Sequence, residues 1–243
     1  MSSSYTNTVD HELGFILELR PWKETSLRVD AFTQSYGRKT LIARGARRAT
    51  SLLRGNLIHF VPLSLSWFGK GSLLTLHQSQ WVGGYPLPKD LAMLSAWYVN
   101  ELLFKLLPLD DPYPKLFLSV KQTMHDLATQ KEVGISLRKF EWCLLKELGL
   151  APSLKQDSED QPIQANKRYW VQLERNLEPV EKQVATTHQL SISGRTLINI
   201  EQDNYADEIT KLESKAFFQF LIEGYIPKNI LITSRILRQL FEF

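Results

Sequence analysis

Ser26-Leu27-Arg28-Val29-Asp30-Ala31-Phe32-Thr33, followed by Tyr36-Gly37-Arg38-Lys39 and then Thr40-Leu41-Ile42-Ala43-Arg44, decides the fold. Leu27, Val29 and Ala31 fall on one face, the period of a half-buried strand. Gly37 supplies the positive φ that a tight turn needs, so the segment reads as a β-hairpin. Upstream, Phe15 to Arg20 is a strand that Pro21 ends. Downstream, Leu57 to Ser66 and Ser72 to Gln80 form a second pair around Phe68-Gly69-Lys70-Gly71. Five short strands in so little chain suit a small closed barrel, of which the OB-fold is the common example, and an SH3-like barrel gives much the same pattern.

The hairpin opens a stretch of one charge sign. Residues 31 to 89 contain no aspartate or glutamate but carry Arg38, Lys39, Arg44, Arg47, Arg48, Arg54, Lys70 and Lys89, a formal +8 in a chain of net +3. Surfaces that serve only solubility mix the signs. A local positive field attracts polyanions, and a nucleic-acid backbone is the commonest one. Arg38, Lys39, Arg44, Arg47, Arg48, Arg54 and Lys70 are therefore the candidate DNA-binding residues, expected to share one surface; the competing reading is a solvated face. About five phosphate contacts predict a log–log salt slope of roughly −4.5 on duplex DNA. Tyr36, Trp67 and Phe68, with Trp22 a weaker fourth, are candidate base-stacking side chains, against core packing as the alternative.

Beyond Pro88 the period becomes helical. Leu91, Leu94, Tyr98, Leu102 and Leu106 mark a first helix ended by Pro108; Asp111-Pro112 caps a second carrying Leu116, Val120, Met124 and Leu127. A third helix begins near Ser136, carries Leu137, Phe140, Leu144 and Leu148, and stops at Gly149. Lys167 to Leu173 reads as a strand, Gln189 to Ile200 as a hairpin around Ser193-Gly194, Tyr205 to Glu223 as a helix ended by Gly224, and a short helix starts at Ser234. The fold class is α+β. The expected domains are a basic OB-fold barrel over 1–84 and a mainly helical domain over 85–243. The latter divides into a three-helix bundle at 89–150, an irregular or β segment at 151–200 and carboxyl-terminal helices at 205–243.

At 243 residues with 43% apolar content, the chain can bury one large core or two modest ones. One cysteine, Cys143, leaves no partner for a disulfide or a cysteine-built zinc site within the chain. With no leader-like start and no run of about 18 apolar residues, a cytoplasmic, nucleoid-associated protein is expected.

Catalytic patterns are missing. His11, His59, His77, His125 and His188 make no spaced metal pair, and there is no Walker loop, nucleophile elbow or dinucleotide fingerprint. Asp110-Asp111 reads as helix capping, Glu101 and Glu141 as members of structural ion pairs, and Cys143 as a small buried group. The basic module lacks the clustered carboxylates of a nuclease. A non-enzymatic binding protein without metal or cofactor is expected. A metal-dependent nuclease and an RNA-binding OB protein stay open as alternatives.

Taken in order, several motifs resemble the RecO family of bacterial DNA repair proteins. They are Gly14-Phe15-Ile16-Leu17, Arg20-Pro21-Trp22-Lys23-Glu24-Thr25-Ser26-Leu27, Phe32-Thr33, Gly37-Arg38, Ala43-Arg44-Gly45-Ala46-Arg47-Arg48, Leu53-Arg54-Gly55 and Phe60-Val61-Pro62-Leu63. The helical region adds Tyr98-Val99-Asn100-Glu101-Leu102-Leu103 and Leu137-Arg138-Lys139-Phe140-Glu141. The resemblance implies an OB-fold followed by a helical domain. It also implies a recombination mediator that binds single- and double-stranded DNA, anneals complementary strands and engages the single-stranded-DNA-binding protein SSB. With RecR, often alongside RecF, such a mediator helps load the recombinase RecA. The four zinc-holding cysteines of many members are absent here, and of the family's basic tail only Ser234-Arg235 survives.

One partner site follows from the resemblance. Arg138 and Lys139, expected in the first turn of the third helix beside Leu137 and Phe140, suit the carboxylate and phenylalanine that close the SSB tail, with Lys121 from the neighbouring helix. The alternative is that Arg138 and Lys139 point to solvent or pair with Glu132 and Glu141.

Overall fold

The computed structural model describes residues 7–71, 73–182, 189–226, 231 and 233. Five strands form a closed barrel: β1 (Asn7–Trp22), β2 (Ser26–Thr33), β3 (Gly37–Ala43), β4 (Leu63–Lys70) and β5 (Leu73–Trp81). Their order is β1-β2-β3-β5-β4, with β3 and β5 parallel and every other pair antiparallel, as in an OB-fold. Closure depends on β1, which pairs with β4 from Asn7 to Gly14 and with β2 from Gly14 to Trp22. Irregularities between Val9 and Glu12 and between Ile16 and Glu18 bend this long strand enough to serve both neighbours. It therefore runs past Pro21, which sits at the strand's far end instead of stopping it.

The hairpin forms as its residues suggest, with Leu27 opposite Ala43 and Thr33 opposite Gly37. Gly37 has φ +68°, and a Cβ there would lie 2.0 Å from the carbonyl oxygen of Asp111. Glycine is thus required twice over, by conformation and by close approach. Inside the barrel Ile16, Val29, Ala31, Leu41, Leu63, Leu65 and Trp67 pack together. The fourth strand differs from the expected Leu57 to Ser66. Residues 57–62 instead send Leu57 and Val61 into the barrel core, and only His59 makes a bridge, to Ile16.

Two helices, α1 (Asp90–Leu106) and α2 (Pro114–Ala128), belong to the same compact unit as the barrel. Phe117 of α2 packs its ring 5.4 Å from Phe15 and 5.5 Å from Phe32, covering apolar side chains on the barrel's outside. Asn100 of α1 donates its amide to the Ile16 carbonyl at 2.9 Å, and His59 Nδ1 lies 3.1 Å from the same oxygen. The kink after Ile16 takes this carbonyl out of regular pairing, and a buried carbonyl must find a donor elsewhere. Pro114, not Pro112, is the first residue of α2, with Tyr113 as its cap.

The second compact unit, Gly134–Ile230, contains nearly all of α3 (Val133–Glu147), β6 (Arg168–Val171), β7 (Glu178–Pro179), β8 (Leu190–Ser193), α4 (Gly194–Glu201) and α5 (Glu208–Tyr225). Thus α3, which the helical spacing groups with the two preceding helices, lies with the residues that follow it. The three strands form an antiparallel sheet in the order β7-β6-β8.

The expected hairpin around Ser193-Gly194 is a strand running into a helix. Ser193 caps α4 by accepting from the Thr196 amide at 3.2 Å, and Gly194 is small because a Cβ would lie 2.0 Å from the Gln164 carbonyl oxygen. Gly224 likewise fails to end α5. It lets Leu173 approach to 2.3 Å of where a Cβ would stand, and the helix continues to Tyr225. The short helix expected from Ser234 lies outside the described residues.

Candidate nucleic-acid interface

The connection from β3 to β4, residues 44–62, is a chain of turns tied down from both sides. Its apolar members Ala46, Leu53, Leu57 and Val61 enter the barrel core. Its backbone is held where the Arg47 amide donates to the Thr25 carbonyl at 2.9 Å and the Gly45 amide to the Ser26 hydroxyl at 3.3 Å. Arg47 also donates to the Glu24 carbonyl at 3.1 Å. Between these anchors Arg44, Arg47, Arg48 and Arg54 are exposed, and none of the four is ion-paired among the described residues. Guanidinium groups can bind phosphate oxygens bidentately, and four of them lie on this one short segment.

Arg38, Lys39 and Lys70 stand apart from them. Because β3 and β5 run parallel, the start of β3 shares an end of the barrel with the β4–β5 turn. The finish of β3 shares the opposite end with the β1–β2 turn. The seven expected cations therefore form two groups instead of one surface. Lys39 is ion-paired with Asp110 at 2.8 Å. Arg38 is half-buried with its guanidinium 5.2 Å from the centre of the Phe104 ring. Burial lowers its pKa, opposed by Asp30 and Asp110 and reinforced by Arg28. Lys70 is exposed at the end of β4.

The aromatic candidates also divide. Trp67 is 2% exposed, in the barrel core, with Tyr36 edge-on at 5.5 Å, so it presents no free face to a base. Alternation with Leu63 and Leu65 already places it on the inward face. Tyr36 and Phe68 are each 40% exposed, and Trp22 is exposed too. Trp81, at the end of β5 and 53% exposed, is an aromatic that sequence reasoning missed.

Around Arg138 the helix starts earlier than the spacing predicts. With α3 beginning at Val133, Arg138 and Lys139 lie in its second turn, beyond the free amides of the amino terminus. Arg138 pairs with the buried Glu141 at 2.8 Å and packs on Phe218, while Lys139 pairs with Asp203 at 2.7 Å. Leu137 and Phe140 are buried. Lys121, on α2 in the other unit, sits over the Tyr85 ring at 5.5 Å. Among the described residues, no three of the histidine, cysteine, aspartate and glutamate side chains gather as metal ligands.

A model of the amino-terminal region of recombination protein O matches residues 9–85, and one of its carboxyl-terminal region matches residues 90–202. The chain belongs to the RecO family. The DNA repair protein RecO of Neisseria meningitidis (serogroup C) is 37% identical to it over 238 residues, covering 97% of this chain and 90% of that protein. That of Cupriavidus pinatubonensis is 39% identical over 230 residues, 94% of this chain and 79% of the relative. The RecO of Nitrosospira multiformis is 38% identical over 228 residues, 93% of each. The first RecO match spans the barrel with its basic connection, and the second runs from the start of α1 through α4.

Proposed function

We propose that this RecO-family chain acts in DNA repair and recombination as a non-catalytic mediator. It holds single- and double-stranded DNA by its phosphates and brings complementary strands together. The observation that carries this reading is the cluster of Arg44, Arg47, Arg48 and Arg54, exposed and without ion pairs among the described residues. The backbone anchors and the four buried apolar residues hold them at one end of a barrel whose residues 31–89 contain no acid. Such a surface binds the sugar-phosphate chain without reading bases. The barrel is the DNA-binding module in this proposal.

The partners are SSB, RecR and, through them, RecA and RecF. At α3 the ion pair Lys139–Asp203 is exposed on both sides and therefore weak, so an acidic tail can exchange with Asp203 there. Arg138, committed to the buried Glu141, is the less available cation.

Annealing of SSB-coated complementary DNA strands, without nucleotide or divalent metal, tests the whole reading. Acceleration that disappears in the Arg47→Ala/Arg48→Ala protein supports it. Strand cleavage on adding magnesium or manganese would point to a nuclease, and preference for RNA without annealing would point to an RNA-binding protein.

A further inference from the structure

On β5 the register carries one residue too many. Ser66 pairs with Gln78 and Trp67 with Leu76, which leaves His77 as the extra residue of a β-bulge. Leu76 stays in the barrel core and His77, the next residue, is exposed on the outside. On the outside its ring meets that of Phe68 on β4, centroids 5.5 Å apart and planes tilted by 46°. Both residues are exposed. Phe15 and Phe32, by contrast, lie buried under Phe117. Packing accounts for those two rings but not for Phe68 and His77.

The surrounding charge favours one kind of occupant. The parallel pairing of β3 with β5 ends at Ala43–Leu76, and the exposed Arg44 and His77 are the residues that follow those two. Along the neighbouring rungs Arg28 faces Ile42 and Arg20 faces Arg28, but these two already hold Asp30 and Glu18. Among the described residues Arg44, and Lys70 two residues from Phe68 on β4, are exposed cations without an ion pair that are left for a phosphate. We propose that Phe68 and His77 form a stacking platform for the unpaired bases of single-stranded DNA, with Arg44 and Lys70 holding the adjoining phosphates. The proposal rests on the DNA-binding reading above and adds a site that distinguishes the two forms of DNA. Bases in a duplex are stacked on one another and have no free face for the rings, whereas unpaired bases do.

Fluorescence anisotropy with a labelled thymidine oligomer and a duplex of equal length, at one salt concentration, tests this. Phe68→Ala/His77→Ala is expected to weaken single-strand binding about ten-fold, the loss typical of removing an aromatic stacking partner, and to leave duplex binding unchanged. Phe68→Tyr, which keeps a ring, is expected to bind single strands as the native protein does, and Leu118→Ala, exposed on α2, serves as a neutral control. If the native protein binds both DNAs and the double variant binds them equally well, or loses both in parallel while its thermal unfolding is unchanged, the platform is overturned and DNA binding stands. If the native protein binds neither DNA, the DNA-binding reading falls and the platform falls with it.

Discussion

Lys39 Nζ lies 2.8 Å from the Asp110 carboxylate, and the lysine side chain is only 16% exposed while the aspartate is 68% exposed. A cation neutralised by its own chain releases no counterion when DNA binds. Lys39→Ala should therefore leave both the affinity and the salt dependence of DNA binding as they are. Asp110→Ala, which frees the lysine, should steepen the log–log salt slope by up to about 0.9. Titrations at several salt concentrations measure both slopes, and a weakened Lys39→Ala protein would contradict the assignment.

Four arginines without an ion pair among the described residues predict a slope of about −3.6 on duplex DNA, or a fall in affinity of roughly 150-fold between about 50 and 200 mM salt. Replacing Arg47 and Arg48 by alanine should flatten the slope by about 1.8 and weaken every sequence alike. The same titrations check it, and sequence-dependent losses would argue for base readout instead.

Phe117 joins α2 to the barrel through Phe15 and Phe32. Truncation to alanine removes a fully buried ring and leaves a cavity, at a cost of about 3–5 kcal/mol. Urea unfolding followed by tryptophan fluorescence and by circular dichroism measures the loss. A change under 1 kcal/mol, on the order of a surface substitution, would mean that the helix is not held there.

Glu213 of α5 accepts from the Ser193 and Thr196 hydroxyls at 2.7 and 2.6 Å, from the Ser193 amide at 3.1 Å and from Arg168 at 3.0 Å. Burial pushes its pKa up, but hydrogen bonds from Thr196, Ser193 and Arg168 together pull it below the ordinary value of 4.5. A depressed carboxyl stabilises the fold above its unfolded pKa, and that contribution is lost as pH falls through the folded value. Glu213→Gln should therefore be most destabilising near neutrality, with the gap to the native protein narrowing as pH drops below 4.5. Urea midpoints against pH provide the comparison, and a constant gap would deny the linkage.

Local patterns carried most of the barrel. Alternation in Ser26 to Thr33 and the glycine at 37 sufficed for the hairpin, because both depend on neighbours in the chain. Alternation with Leu63 and Leu65 also held the burial of Trp67. The start of α3 was not legible, since Val133-Gly134-Ile135 offers no capping side chain. Ser193-Gly194 has turn composition, and only Thr196 three residues on hints at the helix cap. For the candidate site, the exposure of Arg44, Arg47, Arg48 and Arg54 follows from composition. The loss of Lys39 to Asp110 does not, because the two are brought together by the loop after α1. The bulge at His77 leaves no mark in the sequence, because it is a mismatch between two strands.

The segment bearing the arginines is also part of the barrel's filling, since Ala46, Leu53, Leu57 and Val61 are rooted beneath it. A loop fastened in this way is preorganised, and little conformational entropy is left to lose when a strand arrives. It also separates two kinds of change in evolution: guanidiniums can be exchanged at the rim with small effects on folding, whereas an altered root would disturb recognition and stability at once.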